Sequence, residues 1–118
     1  MNVGIGDPMN NICKRLFKSC GLNFKCESAK IAYTILKLCS YSGYTIEGLY
    51  LFFRDKKNLE ISYHSVYRIV KKLQSKGLLQ HQYGSLLVAT ERGVALYRKI
   101  SGALTCYTNL FFYNFYFT

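Results

Sequence analysis

A chain of 118 residues has room for one compact domain with a single core. Half of the residues are apolar, which excludes a disordered chain, and sixteen Lys and Arg against six Asp and Glu give a formal net charge of +10. This excess of cations favours a polyanionic partner, with nucleic acid as the first candidate.

The N-terminal region predicts a basic amphipathic helix. Asp7 is a suitable cap with Pro8 at the first helical position, apolar residues follow at helical spacing, and Gly21 provides the stop. The opposite side of this helix carries Lys14 and Arg15. We expect these two cations to contact phosphate if the partner is a nucleic acid.

Two further helices are predicted next. The first runs from about Ser28 to Tyr41, and the second is a short helix that Thr45 caps and that ends near Phe53. A polar link at residues 54–60 follows, so the next helix begins as a separate element.

The most regular helical pattern begins at Ser62 and ends before Gly77. Its apolar positions form one stripe, made of Val66, Ile69, Val70 and Leu73. Residues 61–77 also hold four cations and no acid, namely Arg68, Lys71, Lys72 and Lys76. A basic helix face without acids favours contact with nucleic acid over a face that is merely solvated.

A β-hairpin is predicted directly after this helix. Residues 78–82 and 85–90 read as two short strands around the tight turn at Tyr83 and Gly84. The hairpin therefore follows the basic helix without a linker.

The C-terminal region begins with a helix that Thr90 caps, and its pattern weakens at Ser101 and Gly102. Residues 104–118 are strongly aromatic and uncharged, but they fall short of the roughly 20 apolar residues that span a bilayer. We expect this segment to pack on the domain or on a second subunit, because it would otherwise expose a large apolar patch. A weak anchor at a membrane surface is the alternative.

These elements predict a mainly α fold with a small β-hairpin. We expect a basic N-terminal helix or arm at residues 1–26, the principal domain at residues 27–103, and an aromatic C-terminal segment at residues 104–118 that serves dimerisation or packing.

Three stretches of this sequence resemble the winged helix-turn-helix superfamily: the capping Thr45, the run at residues 61–79, and Thr90-Glu-Arg-Gly93 after the hairpin. Within that superfamily the chain is most similar, over about residues 28–101, to regulators of the multiple-antibiotic-resistance and phenolic-acid-decarboxylase repressor types. The resemblance implies a homodimeric repressor that binds double-stranded DNA. The small, basic, cysteine-containing and aromatic composition also resembles winged-helix proteins from viruses and plasmids of thermophilic archaea.

A recognition helix needs one side that anchors it and another that meets the bases, mainly in its first turns. We expect base contacts from Tyr63, His64, Ser65, Tyr67 and Arg68, of which Arg68 suits guanine. We expect phosphate contacts from Thr45, Lys71, Lys72, Lys76, His81, Gln82 and Tyr83, together with Lys14 and Arg15 of the first helix.

The predicted turn of the hairpin departs from the pattern of the superfamily. Residues 82–85 lack the Arg or Lys that often enters a minor groove, so we expect no strong minor-groove reading there. The cations Lys14, Arg15, Lys18 and Lys25 are candidates to compensate for this lack. Regulators of this resemblance dimerise through terminal helices, which places a dimer interface at Tyr107, Phe111, Phe112 and Phe115.

The sequence favours neither catalysis nor metal binding. It has two His, six scattered acids and no phosphate-binding loop, so we expect no enzyme and no cofactor. The spacing of Cys13, Cys20 and Cys26 fits neither a zinc site nor an iron–sulfur site. We expect mostly buried thiols, with a disulfide between elements, or between subunits through Cys106, as the alternative.

The N-terminus shows no secretory signal, so we expect a cytoplasmic protein, in the host cell cytoplasm if it is viral. The alternative function is a winged-helix module for protein contacts in a transcription or membrane-remodelling assembly. Such a module has less need of an acid-free basic face at residues 61–77.

Overall fold

The computed structural model describes the backbone of residues 8–117 and the side chains of residues 11–106. It confirms a mainly helical chain with a two-stranded antiparallel hairpin. The elements in chain order are α1 (Pro8–Ser19), α2 (Cys26–Tyr41), α3 (Ile46–Leu51), α4 (Tyr63–Ser75), β1 (Leu79–Gln82), β2 (Leu86–Ala89) and α5 (Glu91–Phe117). A π-helical turn, Phe52–Lys56, continues α3.

One apolar core joins all of these helices and the hairpin. The first helix belongs to it, because Cys13 and Phe17 are fully buried and α1 packs on α2 and α5. From α5, Leu96 and Ile100 reach the same core. Burying a large apolar side chain such as Phe17 contributes about 1.5–3 kcal/mol. The first helix therefore stabilises the core that it shares with the other elements.

The hairpin lies where it was predicted, but its turn has three residues, 83–85, instead of the predicted two, and its strands are correspondingly shorter. Leu79 pairs with Ala89 at one end of the ladder, and Gln82 pairs with Leu86 at the other. An additional bridge, which the sequence pattern does not indicate, joins β2 to the segment before α3. There the Tyr44 amide donates to the Leu87 carbonyl at 3.1 Å, and the Leu87 amide donates back at 2.7 Å. The hairpin is thereby fixed to the start of α3.

Three hydroxyl side chains cap the helices around the hairpin. Thr45 accepts from the amide of Gly48 at 2.9 Å, and Ser62 accepts from the amide of Ser65 at 3.0 Å. Thr90 accepts from the Gly93 amide at 3.1 Å. The caps predicted at Thr45 and Thr90 are confirmed, and each satisfies an amide that the helix itself leaves unpaired.

Gly93 is required where α5 begins. A Cβ at this position would overlap the Leu78 carbonyl oxygen and stand 3.0 Å from the carbonyl carbon. The same carbonyl oxygen accepts the Thr90 amide at 3.0 Å, while the Thr90 hydroxyl donates to the carbonyl of Gly77. The Thr-x-x-Gly sequence therefore holds the start of α5 against the chain that leaves α4.

Several boundaries differ from the sequence pattern. The second helix begins at Cys26 instead of Ser28, and the predicted polar link after Phe53 starts with the π-helical turn. The last helix continues through Ser101 and Gly102 to Phe117. A glycine in a helix costs only about 1 kcal/mol, and Leu104 packs against the core beyond it, so packing outweighs this local preference.

No helix in the described part of the chain is both long and apolar enough to cross a membrane.

Candidate nucleic-acid interface

The fourth helix separates its apolar and polar residues as predicted. All four residues of the apolar stripe, Val66, Ile69, Val70 and Leu73, are buried. The opposite surface is exposed and carries Tyr63, His64, Tyr67, Arg68, Lys71, Lys72 and Lys76. Ser65 is half-buried at the margin of that surface. The structure thus brings the five predicted base-contacting residues onto one helix whose outer side is open to solvent.

An aromatic edge, formed by Tyr63, His64 and Tyr67, borders this surface. The Tyr63 ring meets Tyr50 of α3 edge to face at 5.9 Å, and the rings of His64 and Tyr67 stack with centroids 6.4 Å apart. Lys71 Nζ lies 5.2 Å from the centre of the Tyr67 ring. Tyr63 and Tyr67 remain 47% and 39% exposed. Apolar ring area is therefore available for contact beside the cations.

The other border of the surface is basic and meets the loop between α1 and α2. Lys72 Nζ lies 5.5 Å from the centre of the Phe24 ring. Lys76 Nζ is so close to Gly21 that a Cβ there would stand 3.1 Å from it. Phe24 is buried and meets Phe17 edge to face at 5.2 Å, so this loop is held by the core. The ends of both lysine side chains therefore lie against this loop, although the two residues as a whole are exposed.

The cations of α4 are not neutralised within the described part of the molecule. Among the described side chains an ion pair joins Arg54 and Asp55 at 2.8 Å, on the π-helical turn, and none involves α4. The helix carries no acidic residue in its first turn. Its positive charge is therefore available to an external polyanion.

The predicted wing contacts are exposed but lie on a different element. His81 and Gln82 are on β1, and Tyr83 in the turn is 87% exposed with a φ of +51°. Thr45 is half-buried, and its oxygen accepts the cap hydrogen bond. Because a hydroxyl can donate as well as accept, the O–H of Thr45 can still donate to a phosphate.

The remaining predicted contacts lie away from α4 or outside the described side chains. Lys14 is half-buried and Arg15 is exposed on α1, which packs on α2 and α5 and not along α4. The residues predicted for a dimer interface belong to the last part of α5, and their side chains lie outside those that the structure describes; they are Tyr107, Phe111, Phe112 and Phe115.

Within the described part of the chain, no disulfide joins any of the five cysteines. Cys13 and Cys39 are buried, as expected for small apolar core residues, and burial raises the pKa of Cys39 to about 12. Cys106 is exposed on α5. Among the described residues no group of three or more His, Cys, Asp or Glu is placed to hold a metal ion.

Sequence reasoning offered Lys25 only as one of several cations that could compensate for the uncharged wing, and it did not predict that the α1–α2 loop lies beside α4. Asn23 and Lys25 face Arg68 and Lys72 across a groove beside α4. The signal lay in the alternation of apolar and polar residues from Leu22 to Lys25, which places buried side chains next to exposed ones. Nothing in the sequence indicated that this loop lies against α4, since that contact depends on how two distant helices pack.

Compared with known proteins, the chain matches no family model, no curated protein and no solved structure.

Proposed function

We propose that this chain is a winged helix-turn-helix protein that binds double-stranded DNA sequence-specifically, with α4 in the major groove. The observation that carries the proposal is the outer side of α4, which is exposed, basic and free of acids while the opposite stripe is buried. A major groove about 12 Å wide admits one α-helix, and the phosphates on both sides attract its cations.

The two ends of α4 have different tasks in this proposal. The first turns carry Tyr63, His64 and Arg68, whose side chains are exposed and reach base edges; Arg68 pairs with guanine through O6 and N7. Lys72 and Lys76 stand further along, beside the α1–α2 loop, where they neutralise phosphates. The first turns of α4 thus read base identity, and its last turn supplies affinity through phosphate contacts.

The hairpin acts as the wing. Its bridge from Leu87 to Tyr44 fixes it relative to α3, and the packing of β1 on α4 fixes it relative to α4. An interface that spans two elements needs this fixed geometry, because each contact adds affinity only when the others are already in place. His81 and Tyr83 touch the DNA backbone in this arrangement.

In this proposal the protein acts as a homodimeric repressor in the cytoplasm. The last helix has 27 residues, about 40 Å at 1.5 Å per residue, and its uncharged aromatic end suits burial against a second copy. A twofold dimer presents two copies of α4 to half-sites about one helical turn, or roughly 34 Å, apart. Occupying such a site in a promoter excludes the transcription machinery.

The test begins with selection of bound duplexes from a random pool, followed by affinity measurements on the selected site. Arg68→Ala should cost roughly 1–3 kcal/mol of binding free energy and relax the preference at one base pair. Lys72→Gln should weaken binding to all sequences alike and lower the slope of log K against log[salt] by about one. Lys99→Gln on the exposed side of α5 is the matched control and should change neither the base preference nor the salt dependence of binding.

If the pool yields no preferred sequence and the Arg68 and Lys72 variants bind duplex as the wild type does, DNA is not the partner of α4. The protein-contact module is then the better description.

A further inference from the structure

A groove of about 260 Å³ separates the α1–α2 loop from α4. Three cations line it, namely Lys25 from the loop and Arg68 and Lys72 from the helix. Three hydrogen-bonding side chains, Asn23, Ser28 and Ser65, also line it, together with the apolar Phe24 and Ile69. No acidic residue is among the described residues that line it. The groove thus concentrates positive charge and neutral donors from two separate segments of the chain, residues 23–28 and 65–72.

The loop that carries Lys25 is held in place by its neighbours. Leu22 and Phe24 are buried, and the Leu22 amide donates to the Phe17 carbonyl at 3.0 Å. Gly21 adopts a φ of +85°, which lets the chain turn sharply out of α1. The backbone of Lys25 is therefore held next to α4, so that only its side chain must be ordered when a ligand binds.

The charges of Lys25 and Lys72 repel each other across the groove, and an anion between them compensates that repulsion. Arg68 also lines the groove, but in the proposed function its guanidinium extends toward the base edges. Lys72 is kept at the groove by the Phe24 ring, 5.5 Å from its Nζ, and none of the three cations forms an ion pair among the described side chains. Ammonium, guanidinium, amide and hydroxyl groups are the donors that bind phosphate oxygens. The groove has the chemistry of a phosphate site.

We propose that this groove binds one phosphodiester of the DNA strand that borders the major groove occupied by α4. The inference rests on the proposed function and extends it, because it adds the α1–α2 loop as a backbone clamp on the basic side of α4. The aromatic edge and the clamp then stand on opposite sides of the helix, and together they fix how α4 is rotated in the groove.

The test is Lys25→Gln in the full chain, with Lys99→Gln as the matched control and circular dichroism to verify folding. On the selected duplex, loss of one phosphate contact should weaken binding roughly fivefold at 0.15 M salt and lower the slope of log K against log[salt] by about 0.9. The order of preferred base sequences should stay unchanged, since a phosphate contact carries no sequence information.

A scan with single methylphosphonates locates the contact. One neutralised phosphate should weaken wild-type binding, and Lys25→Gln should no longer respond to that same position. If the wild type binds duplex, the Arg68 variant loses affinity, and Lys25→Gln matches the wild type at every position, the clamp is refuted while the proposed function stands. If the wild type binds no duplex, the proposed function itself has failed.

Inorganic phosphate is the probe for the other source of the same chemistry. Saturable binding of inorganic phosphate that Lys25→Gln abolishes, together with unchanged DNA affinity of that variant, would assign the groove to a free anion and overturn the inference. We expect weak, non-saturating binding of inorganic phosphate, because a single anion lacks the neighbouring contacts that the duplex makes with α4.

Discussion

Replacing Gly93 by alanine adds one methyl group at the point where α5 begins. That methyl group overlaps the Leu78 carbonyl oxygen, which is backbone and cannot rotate away. The start of α5 must therefore move from the end of α4. The movement also lengthens two hydrogen bonds, from the Thr90 amide to Leu78 and from the Thr90 hydroxyl to Gly77.

The size of the effect follows from these contacts. Overpacking costs about 1–3 kcal/mol, and weakening two hydrogen bonds of about 0.5–1.5 kcal/mol each adds to it. The better helix propensity of alanine returns at most about 1 kcal/mol. We expect Gly93→Ala to lower the free energy of unfolding by about 3 kcal/mol, which corresponds to a Tm lower by roughly 10 °C.

The same substitution in the same helix provides the control. A Cβ at Gly102 meets nothing within 4 Å, so Gly102→Ala should stabilise the protein by about 0.5–1 kcal/mol. Urea denaturation followed by circular dichroism measures the stability of both variants. If Gly93→Ala alone is too unstable to fold, the variant that combines Gly93→Ala with Gly102→Ala should still show a measurable unfolding transition. Equal stability of Gly93→Ala and wild type would refute the close contact between α5 and Leu78.

Three further predictions concern other parts of the chain. A brief pulse of iodoacetamide at neutral pH should alkylate exposed Cys106 and spare Cys39, whose thiol is buried and has a pKa of about 12. Peptide mass mapping measures the labelling of each thiol, and equal labelling of the two would contradict the burial of Cys39. A hydrogen bond with Tyr41, then burial, raises the pKa of Tyr97 to about 12. The folded state therefore holds this proton more tightly than the unfolded state does. The resulting contribution to the free energy of unfolding should be complete below pH 10 and be lost between pH 10 and 12. In urea titrations Tyr97→Phe should flatten that decline, and an unchanged decline would exclude Tyr97 as its cause. Deleting residues 107–118 should convert a dimer to a monomer in sedimentation equilibrium, and an unchanged mass would remove the dimer interface from that segment.

The order of the elements was predictable because their signals are local. Thr45 and Thr90 stand directly before apolar periodicity and cap their helices, and Gly77, with a φ of +70°, ends the α4 region as expected. The apolar stripe of α4 is buried without exception, because helical spacing alone decides which residues share a face.

What the sequence could not predict depends on contacts between distant segments. The bridge between Tyr44 and Leu87 needs the hairpin to return to the start of α3. The position of Lys25 beside Lys72 needs α1 and α4 to pack around the same core. The helical continuation through Gly102 reflects packing of Leu104, which outweighs a local propensity for ending the helix.

Replacing individual guanines of the selected duplex by 7-deazaguanine removes N7 from the major groove and leaves base pairing intact. At one position this change should weaken wild-type binding several-fold, and the Arg68→Ala variant should be indifferent to it, because Arg68 is then no longer the partner of that atom. If no position responds, or if the variant responds as strongly as the wild type, α4 does not read guanine through Arg68 and the central claim is contradicted.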